Sequence, residues 1–432
     1  MPRSNRSLTA PDVRAHIRDH VFGTASVTAA DPVAARHSVG IELEWLTGYR
    51  GQHQRLSLDQ AQAVVADLSP LPKGSLVTVE PGGQLELSSA PFASVNDALA
   101  GTATDLYVLD QACADRRIDL FALGADPVRP PERIVTAPRY SVMEAHFDQH
   151  GRAGRTMMCN TAAIQLNVGL GDECDTHTRW RLANVLGPVL VACFANSPFA
   201  DSRPSGWRST RLRTWWTLDP SRSAPVRLDG DPCERWTDYA LDATVMLIRT
   251  GDRYESTGAS LSFGRWLTDG HELGWPALDD LAYHLTTLFP PVRPRGWLEL
   301  RMFDALPTPF WQVAVAVTCA LLDDNDHAET LVDLVAGTEH LWVDAAQLGL
   351  GHPALQRAAV AVFEHALATL RNAGDENADL TSLYFDRWVA RGRCPADDRL
   401  DQWRRDGTLF PPRESPVPYG VDALTVAAGS GR

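Results

Sequence analysis

The feature that most constrains this chain is the alternation of acidic and apolar residues in short segments. In SVGIELEW, Ile41 and Leu43 alternate with Glu42 and Glu44. Because successive side chains of a β-strand point to opposite faces of a sheet, the apolar residues share one face and the two glutamates share the other. The segment therefore predicts a strand that packs one face on a core and carries charge on the opposite face.

Three further segments have the same period of two. Their polar positions are Glu86 in GGQLELSS, Gln165 and Asn167 in NTAAIQLNV, and Glu299 and Arg301 in GWLELRMF. In every case these positions alternate with leucine, isoleucine, valine or methionine. Each segment therefore predicts another strand with one apolar face and one polar face.

Two interpretations of these polar faces are open. A sheet face that contacts water is common, and its polar residues need no function. Glutamate, however, is depleted in strands, and glutamates on neighbouring strand faces repel one another unless a cation lies between them. Since oxygen ligands of this kind suit Mg²⁺ or Mn²⁺ better than zinc, the alternative interpretation is a site for a hard cation.

Residues 203–227 form a basic segment in an acidic chain. They read RPSGWRSTRLRTWWTLDPSRSAPVR, with six arginines against the single acid Asp219, whereas the whole chain has a formal net charge of −14. Guanidinium groups bind carboxylates and phosphates through two parallel hydrogen bonds. The segment is either a surface stretch held by salt bridges or a site for a polyphosphate and an anionic substrate beside a bound cation.

Composition argues against several classes of protein. A chain this acidic is a poor binder of nucleic acids or anionic membranes, because such binding requires a basic surface. Lys73 is the only lysine and lies in no glycine-rich P-loop, which excludes a Walker-type phosphate site. The seven cysteines are scattered without a C-x-x-C pair, and no apolar stretch predicts a signal peptide or a membrane span. We therefore expect reduced thiols and a cytoplasmic protein.

The order of the predicted elements indicates an α+β fold. Strand-like runs lie at 37–46, 76–80, 84–88, 118–124, 161–169 and 296–303, and helical patterns at 11–22, 58–68, 95–117, 176–196, 236–249, 277–289, 308–322 and most of 324–407. We expect an N-terminal helix and linker over 1–35, a catalytic domain over 36–306, a helical C-terminal part packed on it over 307–420, and a tail over 421–432. The acidic segment 323–344, which contains His327 and His340, is interpreted as a solvated helix face.

Taken together and in register, six segments resemble the glutamate–cysteine ligases of the plant-type branch, and most closely the actinobacterial enzymes of ergothioneine biosynthesis. The segments are VGIELEW, EPGGQLELSSAP, APRYSVM, RTMMCNTAAIQLNV, CFANSPFADSRPSGWRSTR and HLTTLFPPVRPRGWLELR, within residues 36–306. The resemblance implies a glutamine-synthetase-like fold. In that fold an antiparallel sheet is curved into a funnel with surrounding helices, and ATP enters one end while amino acids enter the other.

The resemblance also implies roles for individual residues. The implied metal ligands are Glu42, Glu44, Glu86, Glu299 and, where distant bacterial relatives carry a histidine, Gln165. The implied catalytic residues are Arg301 and Arg213, and the implied substrate-binding residues are Arg208, Arg211 and Asn167. Glu80 is implied to orient its loop or a metal-bound water.

The implied reaction is the ATP-dependent ligation of L-glutamate to L-cysteine. The γ-carboxylate of glutamate attacks ATP to give γ-glutamyl phosphate, and the cysteine amine displaces phosphate to give γ-glutamylcysteine for ergothioneine biosynthesis. Two or three Mg²⁺ ions, or Mn²⁺, would assist, and the partners would be these small molecules rather than nucleic acid or membrane. Three questions stay open: whether the amine acceptor differs, whether the protein is a non-catalytic sensor of ATP and amino acids, and whether it is a monomer or a homodimer.

Overall fold

A seven-stranded antiparallel sheet forms the centre of the protein. The structure is a computed structural model that describes residues 8–23, 38–68, 70–149, 151–171, 173–251, 253–257, 260–411 and 413. The strands of the central sheet are β1 Val39–Tyr49, β2 Leu76–Val79, β3 Leu85–Ser88, β4 Ile118–Phe121, β5 Ala163–Gly169, β10 Val292–Pro294 and β11 Trp297–Asp304. Two separate hairpins are formed by β6 Phe199–Ala200 with β7 Arg203–Pro204, and by β8 Leu247–Thr250 with β9 Arg253–Ser256.

The strand order is β10-β11-β5-β1-β3-β2, with β4 paired to the C-terminal half of β1. The long strand β1 therefore lies in the middle, with β3 and β5 as its antiparallel neighbours. The register between β11 and β5 shifts between Leu300 and Phe303, which marks a bulge or irregularity near the end of β11. All four alternating segments of the sequence are thus adjacent strands of one sheet.

Helices surround this sheet and form nearly all of the C-terminal part. The first ten are α1 Ala10–His16, α2 Leu58–Asp67, α3 Val95–Asp115, α4 Pro138–Asp148, α5 Ala153–Asn160, α6 Glu173–Val185, α7 Gly187–Phe194, α8 Thr210–Trp216, α9 Pro220–Ser223 and α10 Pro232–Asp242. The others are α11 Phe263–Asp269, α12 Leu278–Thr286, α13 Trp311–Leu322, α14 Ala328–Leu334, α15 Trp342–Leu348, α16 Pro353–Asn372, α17 Ala378–Arg387 and α18 Pro395–Asp406. Short turns of other helix types lie at Ile17–Val21, Asn325–His327, Gly349–Gly351 and Val389–Arg391.

The apolar faces of the four strands are the core faces, as their period of two predicts. Leu43, Leu87, Leu166 and Leu300 are at most 2% exposed. The same hydrophobic cluster includes side chains of α13 and α16, so the helices after β11 share a core with the sheet. Within the described residues, no helix is both long enough and apolar enough to cross a membrane.

The predicted α+β class with an antiparallel sheet is confirmed, and one predicted helix is wrong. The helical pattern over 236–249 ends at Asp242, and its last residues instead enter strand β8. Leu247 and Ile248 are aliphatic and buried, and a short aliphatic run is compatible with either a helix or a strand. The proposed division at residue 306 stays a prediction, and most of the linker after α1 and the whole tail 421–432 lie outside the described residues.

Candidate active site

The polar faces of the strands meet in one row across the sheet. The strand register places Glu86 opposite Glu44, Gln165 opposite Glu42, and Glu299 opposite Asn167. Side chains in such cross-strand pairs have Cβ atoms about 4.5–5.5 Å apart. The sequence predicted the faces, and the register brings them together.

Three glutamates of this row, Glu42, Glu44 and Glu86, accept hydrogen bonds from neutral groups. The donors are the Ala163 amide and Gln165 Nε2 to Glu44 (2.9 and 3.0 Å), Asn167 Nδ2 to Glu42 (3.0 Å), and Ser88 Oγ to Glu86 (2.9 Å). Within the described residues no guanidinium forms an ion pair with any of the three. The three carboxyl groups are therefore held in position by hydrogen bonds rather than by ion pairs.

Burial and mutual repulsion raise the pKa values of these carboxyl groups. Burial, assisted by the charges of Glu299 and Glu86, raises the pKa of Glu42 to about 7. Burial and the charge of Glu86 also raise the pKa of Glu80 to about 7, and they raise the pKa of Glu44 well above its ordinary value. Since each group is costly to ionise in isolation, the row is suited to a bound cation.

Glu299 differs from the other glutamates because arginines surround it. It is 1% exposed, and Arg293 donates to both of its oxygens, one of them at 2.8 Å from Nη2. Arg301 and Arg295 lie 3.2 and 3.5 Å from the same Oε1. Although burial acts to raise it, Arg293 and then Arg301 hold the pKa of Glu299 at about 2. In this arrangement Glu299 is the counterion of three arginines, whereas Glu42, Glu44 and Glu86 form a donor set without such a counterion among the described residues. The predicted roles of Glu299 and Gln165 as metal ligands stay predictions.

Glu42, Glu44 and Glu86 suit a cation whose remaining ligands are not protein atoms. Within the described part of the chain, the oxygens of these three glutamates do not form a group that all lie within 4.8 Å of one another. Mg²⁺ is typically held by one or two carboxylates, with waters or phosphate oxygens as its other ligands. The three glutamates therefore suit ions shared with a polyphosphate rather than a closed protein cage.

A cavity of about 150 Å³ opens beside Glu44. Its lining combines charged and polar groups with apolar ones: Glu44, Glu80, Gln84, Thr161, Arg211 and Arg301 on one hand, and Pro81, Tyr140, Met143, Met157, Met158, Trp215 and Phe289 on the other. Pockets for drug-sized ligands enclose about 300–1,000 Å³, whereas a cavity of about 150 Å³ binds benzene. The cavity is therefore of a size for part of an amino acid rather than for a nucleotide.

Two arginines supply the positive charge of this cavity. Arg301 donates from Nη1 to Gln165 Oε1, and its guanidinium lies 5.6 Å from the ring centre of Trp215. Arg211 is 2% exposed and donates from Nη2 to the backbone oxygen of Arg301 at 2.8 Å. Its Nη1 has no hydrogen-bond partner within the described residues and lies 4.0 Å from Asp304 Oδ1. Arg211 is therefore a buried cation of the cavity lining whose charge is opposed by Asp304.

Asp304 holds the start of the basic segment against the sheet. Its carboxylate accepts hydrogen bonds from the Asn196 amide (2.8 Å), Ser197 Oγ (2.7 Å) and Ser209 Oγ (2.9 Å). Ser209 is also the N-cap of α8, on which Arg211 lies in the first turn. The predicted FANSPF and RPSGWRSTR segments are thus tied to the end of β11, which fixes where Arg211 points.

Three of the residues predicted to act in catalysis or substrate binding lie outside the cavity lining. Arg213 is exposed, with its guanidinium 5.8 Å from the ring centre of Trp207, and Arg208 donates from Nε to Asp397 of α18 at 2.7 Å. Asn167 lies in the polar row instead, between Glu42 and the indole N–H of Trp297, which donates to it at 2.8 Å. Their predicted roles in catalysis or substrate binding stay predictions, and for Arg208 and Arg213 the structure shows contacts outside the cavity.

A comparison with known protein families identifies the chain at this point. A model of glutamate–cysteine ligase family 2 matches residues 38–412, which is most of the chain. The chain belongs to this family. The resemblance that the sequence motifs carried is confirmed, as is the expectation of a ligase enzyme.

Individual relatives agree with the family. Glutamate–cysteine ligase EgtA of Mycolicibacterium smegmatis is 41% identical over 371 residues, which cover 84% of this chain and 86% of that protein. A crystal structure of a glutamate–cysteine ligase from Francisella tularensis in complex with AMP matches 91% of this chain and 88% of its own, with a TM-score of 0.51 at 14% identity. A bifunctional glutathione synthetase from Pasteurella multocida matches 92% of this chain with a TM-score of 0.52 and 14% identity, and this chain spans 53% of its length. These two structures confirm the fold that the family implied.

One residue that shapes the site, Arg55, was not predicted from the sequence. Arg55 donates from Nη1 to the backbone oxygens of Gly82 and Cys159, the latter at 2.9 Å, and from Nη2 to Asn160 Oδ1 at 2.8 Å. Gly82 approaches α5 so closely that a Cβ atom there would lie 2.2 Å from the Cys159 backbone oxygen. Arg55 therefore fastens the turn that carries Glu80. It lies in QHQRLS, where no pattern distinguishes it.

Proposed function

We propose that this chain ligates the γ-carboxylate of L-glutamate to the amine of L-cysteine, with ATP as co-substrate. The products are γ-glutamylcysteine, ADP and phosphate, and the intermediate is γ-glutamyl phosphate. The observation that carries the proposal is the row of Glu42, Glu44 and Glu86, which forms no ion pair with any described residue and adjoins a cavity lined by Arg211 and Arg301. Membership in the glutamate–cysteine ligase family supports the reaction class.

The polar row is the proposed binding surface for the phosphates of ATP. Glu42, Glu44 and Glu86 would hold Mg²⁺, which when bound neutralises the phosphate oxygens and aligns them for in-line transfer. Arg301 lies at the junction of this row and the cavity, since it contacts Gln165 of the row and also lines the cavity. Its guanidinium is therefore suited to stabilise charge that develops between the γ-phosphate and the attacking carboxylate.

The cavity is the proposed site for an amino-acid substrate. Arg211 and Arg301 supply positive charge suited to a substrate carboxylate, and Glu44 and Glu80 belong to the same lining. The lining also contains the thioethers of Met143, Met157 and Met158, which are polarisable and adapt to small side chains. This combination suits an amino acid whose side chain is short and uncharged, as in cysteine. No lysine or nucleophilic serine is needed, because orientation and electrostatics carry the reaction.

The motif resemblance to the actinobacterial enzymes of ergothioneine biosynthesis supports that pathway as the use of the product. The name of the relative EgtA designates a glutamate–cysteine ligase, and the present chain is 41% identical to it over most of both chains. We therefore place the proposed reaction in the same pathway. A different amine acceptor in the cavity would keep the chemistry of the first step and change only the product.

The test of the proposed function is a coupled measurement of ADP and phosphate release with Mg²⁺. Release should require both L-glutamate and L-cysteine, and mass spectrometry should find γ-glutamylcysteine. Release at the full rate with glutamate alone would contradict ligation, and a higher kcat/KM with another amine would replace cysteine as the acceptor. ATP binding without turnover for any amine would indicate a sensor instead.

Glu44→Gln provides the matched variant for this test. It removes one charge from the row and keeps the shape of the side chain, so turnover should be lost while the circular dichroism spectrum stays that of the native protein. Glu272→Gln, at an exposed glutamate outside the row, is the control and should keep the native rate. Near-native turnover in Glu44→Gln would remove this residue from the proposed metal ligands.

A further inference from the structure

A second group of metal-ligating side chains lies at the start of the acidic segment 323–344. Asp324 directly follows Asp323 at the end of α13, His327 is three residues further on, and His365 lies in the middle of α16. Their ligand atoms all lie within 4.8 Å of one another. None of the three lines the cavity or belongs to the polar row of the sheet.

The contacts within this group already orient the two histidines on one carboxylate. His327 Nδ1 is 2.8 Å from Asp324 Oδ1, and His365 Nε2 is 2.7 Å from Asp324 Oδ2. The two imidazole rings are 5.5 Å apart at their centres. His327 Nδ1 and His365 Nε2 both face the carboxylate of Asp324. A nitrogen without its proton is a metal ligand, so a cation bound between the two rings and the carboxylate would take the place of the hydrogen-bonding protons.

From this geometry we propose that Asp324, His327 and His365 bind one transition-metal ion of the Zn²⁺ class. Two imidazole nitrogens and one carboxylate oxygen are the ligand types of zinc rather than of Mg²⁺, which prefers oxygen. Three protein ligands leave a fourth tetrahedral position for water. The site thus differs in chemistry from the oxygen-only row on the sheet and would select a different ion.

The surrounding charge favours a cation at this place. Residues 323–344 contain seven acidic residues and no lysine or arginine. The arginines that reach the segment come from α6 and pair elsewhere, Arg179 with Asp323 at 2.5 Å and Arg181 with Glu329 at 2.5 Å. Within the described residues, Asp324 has the two histidines as its ion-pair partners. Its carboxylate therefore faces two imidazole rings and no lysine or arginine among the described residues.

The site joins two parts of the C-terminal helices that are distant in sequence. Asp324 and His327 follow α13, whereas His365 belongs to α16, and α13 and α16 pack against each other. A bound ion would cross-link the end of α13 to α16, and it would stabilise the folded chain because the unfolded chain does not hold the three ligands together. The sequence analysis interpreted this segment as a solvated face; the position of His365 is what the tertiary structure adds.

The experiment is isothermal titration of the full, chelator-treated chain with ZnCl₂ in the presence of excess Mg²⁺, which occupies the oxygen-only row. The expected result is one tight equivalent of Zn²⁺ and a rise in melting temperature of several degrees. Co²⁺ should give the visible absorption of a tetrahedral ion. His327→Asn and His365→Gln keep an N–H group near the position of the ligand nitrogen, so they should fold normally yet weaken Zn²⁺ binding at least about tenfold.

The control is His340→Ala, which removes an exposed histidine of the same acidic segment from outside the group and should leave the tight equivalent intact. Equal Zn²⁺ affinity in wild type and the His327→Asn/His365→Gln double variant would overturn the proposal, as would the absence of a tight equivalent in the wild type. Neither result bears on the ligase reaction, which is measured with Mg²⁺ and reports on the polar row and the cavity.

Discussion

Glu44 and Glu86 lie directly opposite each other on neighbouring antiparallel strands, in a pair that would be repulsive if both were ionised. Burial raises the pKa of both carboxyl groups, and the charge of Glu86 is the second cause for Glu44. A sheet selected only for stability would place neutral or opposite charges at these positions. The pair is therefore the clearest sign that the polar row is built to hold a cation.

The raised pKa values predict how stability depends on pH without metal. The pKa of Glu42 and of Glu80 is about 7, above their ordinary value of 4.5. Between these two values the folded protein holds protons that the unfolded chain has released, so this contribution to stability falls as the pH rises. The melting temperature of the chelator-treated protein should drop by a few degrees from about pH 6 to about pH 8.

Two controls define that experiment. Saturating Mg²⁺ should raise the melting temperature more at the higher pH, because protons compete less with the ion there. Glu42→Gln removes one of the titrating groups and should reduce the drop. Scanning calorimetry measures all three, and an identical pH dependence in wild type and Glu42→Gln would show that the row does not titrate as described.

Substitutions of Arg301 in β11 and of Arg213 in the basic segment should affect turnover unequally. Arg301 lines the cavity, whereas Arg213 is exposed beside Trp207. Arg301→Lys should lower kcat by about 10²–10³, which is typical for the loss of one donor to developing charge. Arg213→Lys should stay within a few-fold of the native rate. Steady-state kinetics with both variants checks this, and a large loss in Arg213→Lys would restore it to the catalytic group.

Substitution of Glu299 should lower the stability of the fold more than it lowers Mg²⁺ affinity, the opposite of what is expected for a metal ligand. Because it is the buried counterion of Arg293, Glu299→Gln leaves a guanidinium without its charge partner, which costs about 3–5 kcal/mol of folding free energy. We expect the denaturant midpoint of Glu299→Gln to fall strongly. We expect its Mg²⁺ affinity to change less than the Mg²⁺ affinity of Glu42→Gln does. If Glu299→Gln instead kept its stability and lost Mg²⁺ binding, Glu299 would be a metal ligand after all.

Arg55 predicts a defect in the turn that carries Glu80. Arg55→Ala leaves the backbone oxygens of Gly82 and Cys159 without this donor, a loss of about 1–3 kcal/mol. Turnover should fall by more than stability explains, since the Glu80 side chain would no longer be held beside Glu44. Arg405→Ala, at an exposed arginine, is the control and should have no effect on either quantity. Native kcat in a folded Arg55→Ala protein would contradict this role.

Glu42 and Glu44 on β1, and Glu299 on β11, show how much of the polar row the sequence predicted. The period of two in SVGIELEW placed Glu42 and Glu44 on one face correctly, because alternation is a local property of an extended chain. The same period placed Glu299 on an equivalent face of β11, and the backbone confirms it. The motif resemblance then identified the family from segments of a few residues each.

The different fates of those glutamates depended on tertiary structure. Arg293 lies opposite Glu299 because β10 and β11 form a hairpin, so the charge of Glu299 is balanced, while among the described residues Glu42 accepts from the amide of Asn167. Other contacts likewise join segments far apart in the chain. Examples are the hydrogen bond of Arg55 to Cys159, the methionines that line the cavity beside Glu44, and the hydrogen bond of His365 to Asp324. Sequence alone determined which face each polar side chain occupies, because that follows from backbone geometry. Which charges face one another was decided only by packing, because electrostatic interactions depend on distance in space and not on separation along the chain.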